Sequence, residues 1–210
     1  MKTEMEKFSD TLWKSAGCRF NAHLRSASNA RVMLIINSAV SAHLIFYSAL
    51  VFANKIKPEY ADLFNAGILL GSLSVLCIGL IGAVLRMDVY SNIMHESGKL
   101  INEIKSNVSL VGRRIANPQE IDNFLRKQNA RYRGHLSQVE FNHSELDHQI
   151  FIISHLKWYK DNESDMVRGW LSRAISWIRY YVTSKVIVVV FVFMPVVPLI
   201  ICFKGSASAN

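Results

Sequence analysis

Cysteine is scarce and scattered. The chain has three, Cys18, Cys77 and Cys202, an odd number without metal-ligand spacing, which argues against a disulfide framework or a zinc site and leaves them as packing residues. Catalytic signatures are lacking too: no Gly-x-Ser-x-Gly, phosphate loop or deaminase pattern occurs. No catalytic residue, metal ligand or cofactor is therefore expected. Charge is sparse, at 19% of residues, and it is missing entirely from three runs, Val32 to Phe52, Leu63 to Leu85 and Val186 to Phe203.

Those three runs concentrate the apolar excess of a chain that is 50% hydrophobic. The first two hold 21 and 23 residues, so as helices they reach ~31 to ~35 Å against a hydrocarbon core of ~30 Å. Both are long enough to span. The rival reading, buried helices of a large soluble core, needs more surrounding protein than 210 residues supply. A removable secretory signal is disfavoured, because six Lys or Arg lie in the 31 residues before the first run and that run is too long for a signal core.

Basic residues set the expected orientation. Six precede the first run, two (Lys55 and Lys57) lie between the first and second, and fifteen lie from Arg86 to Lys185. The positive-inside rule then places the N-terminus and the central body in the cytoplasm and the hairpin loop outside. The net charge of +8 has the same explanation, and no pattern of a nucleic-acid-binding motif accompanies it. Direct nucleic-acid binding is not expected.

The reading is an all-α membrane protein: a basic cytoplasmic segment over 1–31, a transmembrane hairpin over 32–85 and a cytoplasmic helical body over 86–160. An amphipathic interfacial helix over 166–185, a third apolar segment over 186–203 and a tail over 204–210 complete it. In the hairpin, Asn37, Ser41 and Ser48 share a stripe, as pore lining or as interhelical hydrogen bonds. Gly67, Gly71, Ser74 and Gly82 mark the expected packing face of the second span.

Beyond the hairpin, Val89, Ile93, Leu100, Ile104, Val108, Val111 and Ile115 predict a helix that continues the second span without a break. Asn117-Pro118-Gln119-Glu120 reads as a new helix start, with Glu120 reaching back to the Asn117 N–H. Heptad spacing then runs through Leu125, Asn129, Tyr132, Leu136, Val139, His143, Leu146, Ile150 and Ile153, which predicts one long coiled-coil helix with Asn129 and His143 as polar register residues. Its partner is either the preceding helix or another copy. Glu140-x-x-His143 has di-iron spacing, but the second such motif is missing.

Near the C-terminus, Val167, Trp170, Leu171, Ala174, Ile178 and Tyr181 form one apolar face. Trp170, Trp177, Arg173 and Arg179 make this a candidate membrane-interface helix. The last run has 18 residues and contains Pro195 and Pro198; it predicts a third span, with a re-entrant segment as the alternative.

Leu12-Trp13, Arg19, two closely spaced spans, then Tyr132, Asn142-His143 and Asp147 together resemble the SLATT family of two-span membrane proteins of bacterial anti-phage defence. The resemblance covers about Phe8 to Ile153. It implies a pore-forming effector of abortive-infection type that assembles as a homo-oligomer and permeabilises the membrane. The implied partner is a nucleotide-signal synthase, a sensor or a reverse transcriptase. The alternative is a membrane anchor that recruits a cytoplasmic partner and conducts nothing.

Overall fold

The computed structural model describes residues 3–53, 56, 58–111, 114–115, 117–139, 141–167 and 169–181. Every element among them is helical, as expected of an all-α protein: α1 (Glu4–Phe52), α2 (Pro58–Leu85), α3 (Met87–Val111), α4 (Pro118–Gln138), α5 (Glu145–Ser154), α6 (Leu156–Asn162), a 3-10 turn (Ser164–Met166) and α7 (Trp170–Tyr181). The chain divides into two compact units, Met1–Ala27 with Asp88–Tyr180, and Ser28–Met87 with Tyr181–Asn210. The third apolar run, 186–203, lies outside the described residues.

In the first unit the N-terminal half of α1 is the helix around which the others pack. It starts with a reciprocal cap, in which the Glu6 N–H donates to Thr3 Oγ1 at 3.2 Å and the Thr3 N–H to Glu6 Oε2 at 2.8 Å, satisfying donors that a helix start leaves unpaired. One side of α1 gives Leu12 and Ala16 to a core with Ile101, Ile104 and Val108 of α3, closed by Phe124, Leu125, Tyr132 and Leu136 of α4. Another gives Cys18 and Trp13 to a second cluster with Phe151, Ile152 and Tyr159 of α5 and α6. Trp13 meets the rings of Phe151, His155 and Trp158 edge-on at 4.9, 4.8 and 5.0 Å, an arrangement that aligns ring edges with ring faces. Lys14 lies over the Trp158 ring and pairs with Glu163.

Two expected helices are interrupted. Between α2 and α3 a single residue, Arg86, leaves the helical conformation with φ 43°, a left-handed conformation that costs a non-glycine residue about 1 kcal/mol. The long coiled-coil helix is also two helices. α4 ends at Gln138, with the Val139 N–H on the His135 carbonyl, and α5 begins afresh behind Ser144. The Asn142 side chain accepts from the His143 N–H at 2.9 Å, the local bonding by which Asn and Ser draw backbone out of a helix. The first part of the heptad seam packs on α1 and α3 of the same chain. At the start of α4, Asn117 accepts from the Gln119 N–H with Pro118 at the first helical position, while Glu120 reaches the Asn117 side-chain amide at 3.5 Å rather than its backbone.

In the second unit α1 and α2 pair along a narrow stripe. Phe64 is buried, and Ala61, Ile68, Gly71, Val75, Ile78 and Gly82 are half-buried at alternating steps of three and four, the seam spacing of paired helices. Both helices are long and apolar enough to cross a membrane. Leu34, Ile45, Leu69, Leu70 and Val84 point outward and are exposed, which fits a surface solvated by lipid.

Gly17 tests the close fit of α1 on α5. A Cβ there meets Phe151 Cε2 at 2.0 Å, whereas one at Gly134 meets nothing within 4 Å. Gly17→Ala should lower stability by about 1–2 kcal/mol, overpacking outweighing its helix-propensity gain, while Gly134→Ala should raise it by up to ~1 kcal/mol. Thermal unfolding of the full chain in detergent reads both.

Candidate functional site

The best-built polar centre lies in the first unit, where α1 meets the segment that opens α5. Asn21 and Arg25 are one helical turn apart and share a face. Asn21 Nδ2 donates to the Asp147 carbonyl at 3.1 Å. Arg25 binds the Asp147 carboxylate through both arms, Nε to Oδ1 at 2.8 Å and Nη2 to Oδ2 at 2.9 Å, and Nη2 also donates to Ser144 Oγ at 3.3 Å. The same carboxylate accepts the Ser144 N–H at 2.9 Å and its hydroxyl at 2.7 Å, closing a capping box at the α5 start. Asp147 is 0% exposed.

Burial opposes ionisation of Asp147, but hydrogen bonds from Arg25 and Ser144 outweigh it and hold the carboxyl below its ordinary range. The bond to Asp147 raises Arg25 in turn. Neighbouring groups tie the same segment down. Tyr90 of α3 donates its hydroxyl to the Asn142 carbonyl at 2.9 Å and packs on Phe141, and Tyr180 of α7 donates to the Asn21 carbonyl at 2.7 Å.

An adjacent face of α1 carries Arg19 and His23. His23 and Ser91 of α3 bond to each other, 2.8 Å apart, and the His23 ring lies 4.6 Å from that of His95. Arg19 is only 3% exposed; its Nη1 reaches Met94 Sδ at 3.9 Å and its Nε has no partner among the described residues. Burial pulls its pKa down. Two histidines feel this cation. Burial first, then Arg19, lowers both His143 and His135; Asp147 and Glu145 pull His143 the other way, and His148 adds to the lowering. His143 Nδ1 is buried without a partner among the described residues, whereas His135 Nε2 bonds Ser97 Oγ at 2.7 Å. Burial and the nearby Asp147 charge push the Cys18 thiol up to about 12, an unreactive packing position.

Sequence reasoning singled out Asp147, Asn142, His143 and Tyr132, and the structure brings the first three to this junction. Tyr132 lies in the adjoining core beside Leu12 and Ala16, with Asn129 half-buried on α4. It missed Arg25 and Ser144. The signal was available, since Ser144-x-x-Asp147 is a capping pattern that predicts a helix start inside the supposed heptad run.

In the second unit the polar residues of α1 satisfy themselves. Ser41 Oγ donates to the Asn37 carbonyl and Ser48 Oγ to the Leu44 carbonyl, both at 2.8 Å, bonds within α1 itself. Asn37 Oδ1 is buried and has no partner among the described residues. Of the four small residues, Gly71 and Gly82 face α1, where added Cβ atoms would lie 2.5 Å from Leu44 Cδ2 and 3.6 Å from Met33 Cε. Gly67 meets open space, and Ser74 is exposed with its hydroxyl on the Leu70 carbonyl. On α7, Trp170, Trp177 and Arg179 are exposed and Arg173 is half-buried.

Because the Arg25 side chain keeps 25% exposure while Asp147 has none, Asp147→Asn or Arg25→Leu should each cost about 3 kcal/mol, with the double variant costing less than their sum. The Asp147 contribution is full above its ordinary pKa of 3.8 and is lost only as pH falls through its lower folded value. The histidines act nearer neutrality. With folded values below 6.5, the unfolded chain takes up protons first, so stability falls as pH drops below ~6.5. Melting temperatures measured between neutral and mildly acidic pH should show this slope, and His135→Gln/His143→Gln should flatten it.

A family model described as SMODS and SLOG-associating 2TM effector domain family 5 matches residues 1–201, taking in both the Arg25–Asp147 junction and the hairpin. No curated protein and no solved structure matched the chain. With two apolar spans, an all-helical architecture and a match across nearly the whole sequence, the chain belongs to this 2TM effector family, a family of membrane effectors of anti-phage defence and not a known enzyme family.

Proposed function

We propose that the protein is a homo-oligomeric effector of the bacterial inner membrane, with its N-terminus and helical body cytoplasmic, which permeabilises that membrane when a defence-system partner triggers it. Partners of the SMODS and SLOG kinds named in the family description fit a nucleotide-signal synthase or a sensor; a reverse transcriptase is the other partner class the resemblance implies. One hairpin cannot enclose a path for ions, so conduction requires several copies around an axis.

The observation that carries the reading is Asn37. Its Oδ1, within a candidate span, is buried and has no partner among the described residues, while the neighbouring serines bond to their own helix. An unsatisfied amide at membrane depth favours any assembly that supplies a donor or a water. The Arg25–Asp147 junction is the place where a trigger would act, because one carboxylate there holds both a helix cap and a tertiary ion pair.

The test is membrane potential and dye entry in bacterial cells after induced expression with candidate partner genes. Triggered wild type should depolarise rapidly, Asn37→Leu should reduce leakage several-fold at equal insertion, and Ser41→Ala/Ser48→Ala should leave it nearly unchanged. Equal leakage from Asn37→Leu would remove Asn37 from the path. An intact potential under every partner would favour an anchor that recruits a cytoplasmic protein.

A further inference from the structure

Helix α7 is mounted the wrong way round for a protein surface in water. Its residues divide cleanly at 100° per residue: Trp170, Leu171, Ala174, Ile175, Trp177 and Ile178 fill one arc, and Ser172, Arg173, Ser176, Arg179 and Tyr180 the other. A surface helix ordinarily turns the apolar arc inward, as α3 does with Met94, Ile101, Ile104 and Val108. In α7 the polar arc, Arg179 apart, is the covered one. Ser172, Arg173, Ser176 and Tyr180 are half-buried, and the Tyr180 hydroxyl reaches the Asn21 carbonyl of α1. Trp170, Leu171, Ile175 and Ile178 are 73, 59, 57 and 51% exposed.

A contiguous outward apolar face of this kind marks an interaction surface. Its occupant is identified by three further features. The 12 described residues of the helix, ~18 Å long, carry Arg173 and Arg179 and divide into opposed faces, a pattern that suits lying along the edge of a hydrocarbon core. Indole and guanidinium groups belong to the headgroup level of a bilayer. After Asp165 the chain contains no Asp or Glu, while Arg168, Arg173, Arg179, Lys185 and Lys204 follow. That charge is complementary to anionic lipid.

We propose that the outward face of α7, formed by Trp170, Leu171, Ile175 and Ile178 with Arg179 at its edge, docks on the interfacial region of an anionic lipid leaflet. The proposal requires a chain held at a membrane and is independent of whether the hairpin conducts. It assigns α7 to reading the membrane surface, a task separate from spanning.

Tryptophan fluorescence tests it directly, because the four tryptophans are Trp13, Trp158, Trp170 and Trp177 and neither apolar run of the hairpin contains one. The full chain is reconstituted in nanodiscs of phosphatidylcholine and phosphatidylglycerol, with or without bromine near the headgroup end of the acyl chains. Brominated lipid should quench a large share of wild-type emission. That share should fall several-fold in Trp170→Phe/Trp177→Phe and also in Leu171→Asp/Ile175→Asp, whose substitutions point outward and should leave helicity and melting unchanged. Quenching should weaken in phosphatidylcholine alone; equal quenching there would overturn the charge preference. Wild-type emission as little quenched as that of the double tryptophan variant would overturn the docking. If such an unquenched protein also cross-links between copies through Ile175→Cys, the face belongs to a second copy instead.

Discussion

The bidentate pair between Arg25 and Asp147 is the interaction on which the helical body most depends. Taking a carboxylate fully out of water is expensive, and an ion pair repays that cost only when the remaining lone pairs are also satisfied. Here they are, by two Arg25 arms and by the N–H and hydroxyl of Ser144. Because the carboxylate that pairs with α1 is also the third residue of the α5 capping box, helix initiation and tertiary docking form one event. A helix of ten residues is marginal by itself in water. The ion pair therefore fixes both whether α5 exists and where it lies.

Around that pair the body accepts an unfavourable element. Arg19 lies on the adjoining face of α1, where among the described residues its Nη1 has a thioether as partner and its Nε has none. A thioether is a weak acceptor and cannot neutralise a guanidinium. Burial first, and this cation second, keep His143 and His135 neutral more readily than an exposed histidine. The neighbourhood thus contains one well-satisfied cation and one poorly satisfied one, six residues apart on the same helix.

The fold class and the membrane runs were legible because apolar length and the absence of charge are direct consequences of lipid as a solvent. The face of α3 was less so. The heptad-like picks Val89 and Val111 are exposed, whereas the buried face includes Ser91, Ser97 and Gly98 beside Met94 and Ile101; small polar residues at close helix contacts hide a core stripe from a hydrophobicity reading. The α4–α5 break was missed for a related reason. Leu146, Ile150 and Ile153 kept the apolar period of three and four, while the signal that overrode it was the capping chemistry of Ser144 and Asp147. Gly67 and Gly71 looked equivalent as a small-residue pair, but only Gly71 lies on the paired stripe of α2. Arg25 was unreadable in advance, since nothing in a lone arginine tells that a carboxylate more than a hundred positions away will meet it.

The serines of the membrane half of α1 have a consequence for how the protein enters a bilayer. A hydroxyl that bonds the carbonyl four residues back, as in Ser41 and Ser48, carries its hydrogen-bond partner with it and makes little demand on neighbours in lipid. These serines therefore set no requirement for a companion chain at insertion, which leaves the proposed assembly a later, separable stage. In the assembly proposed above, the amide of Asn37 is then the group whose surroundings would differ between a solitary hairpin and an assembled one.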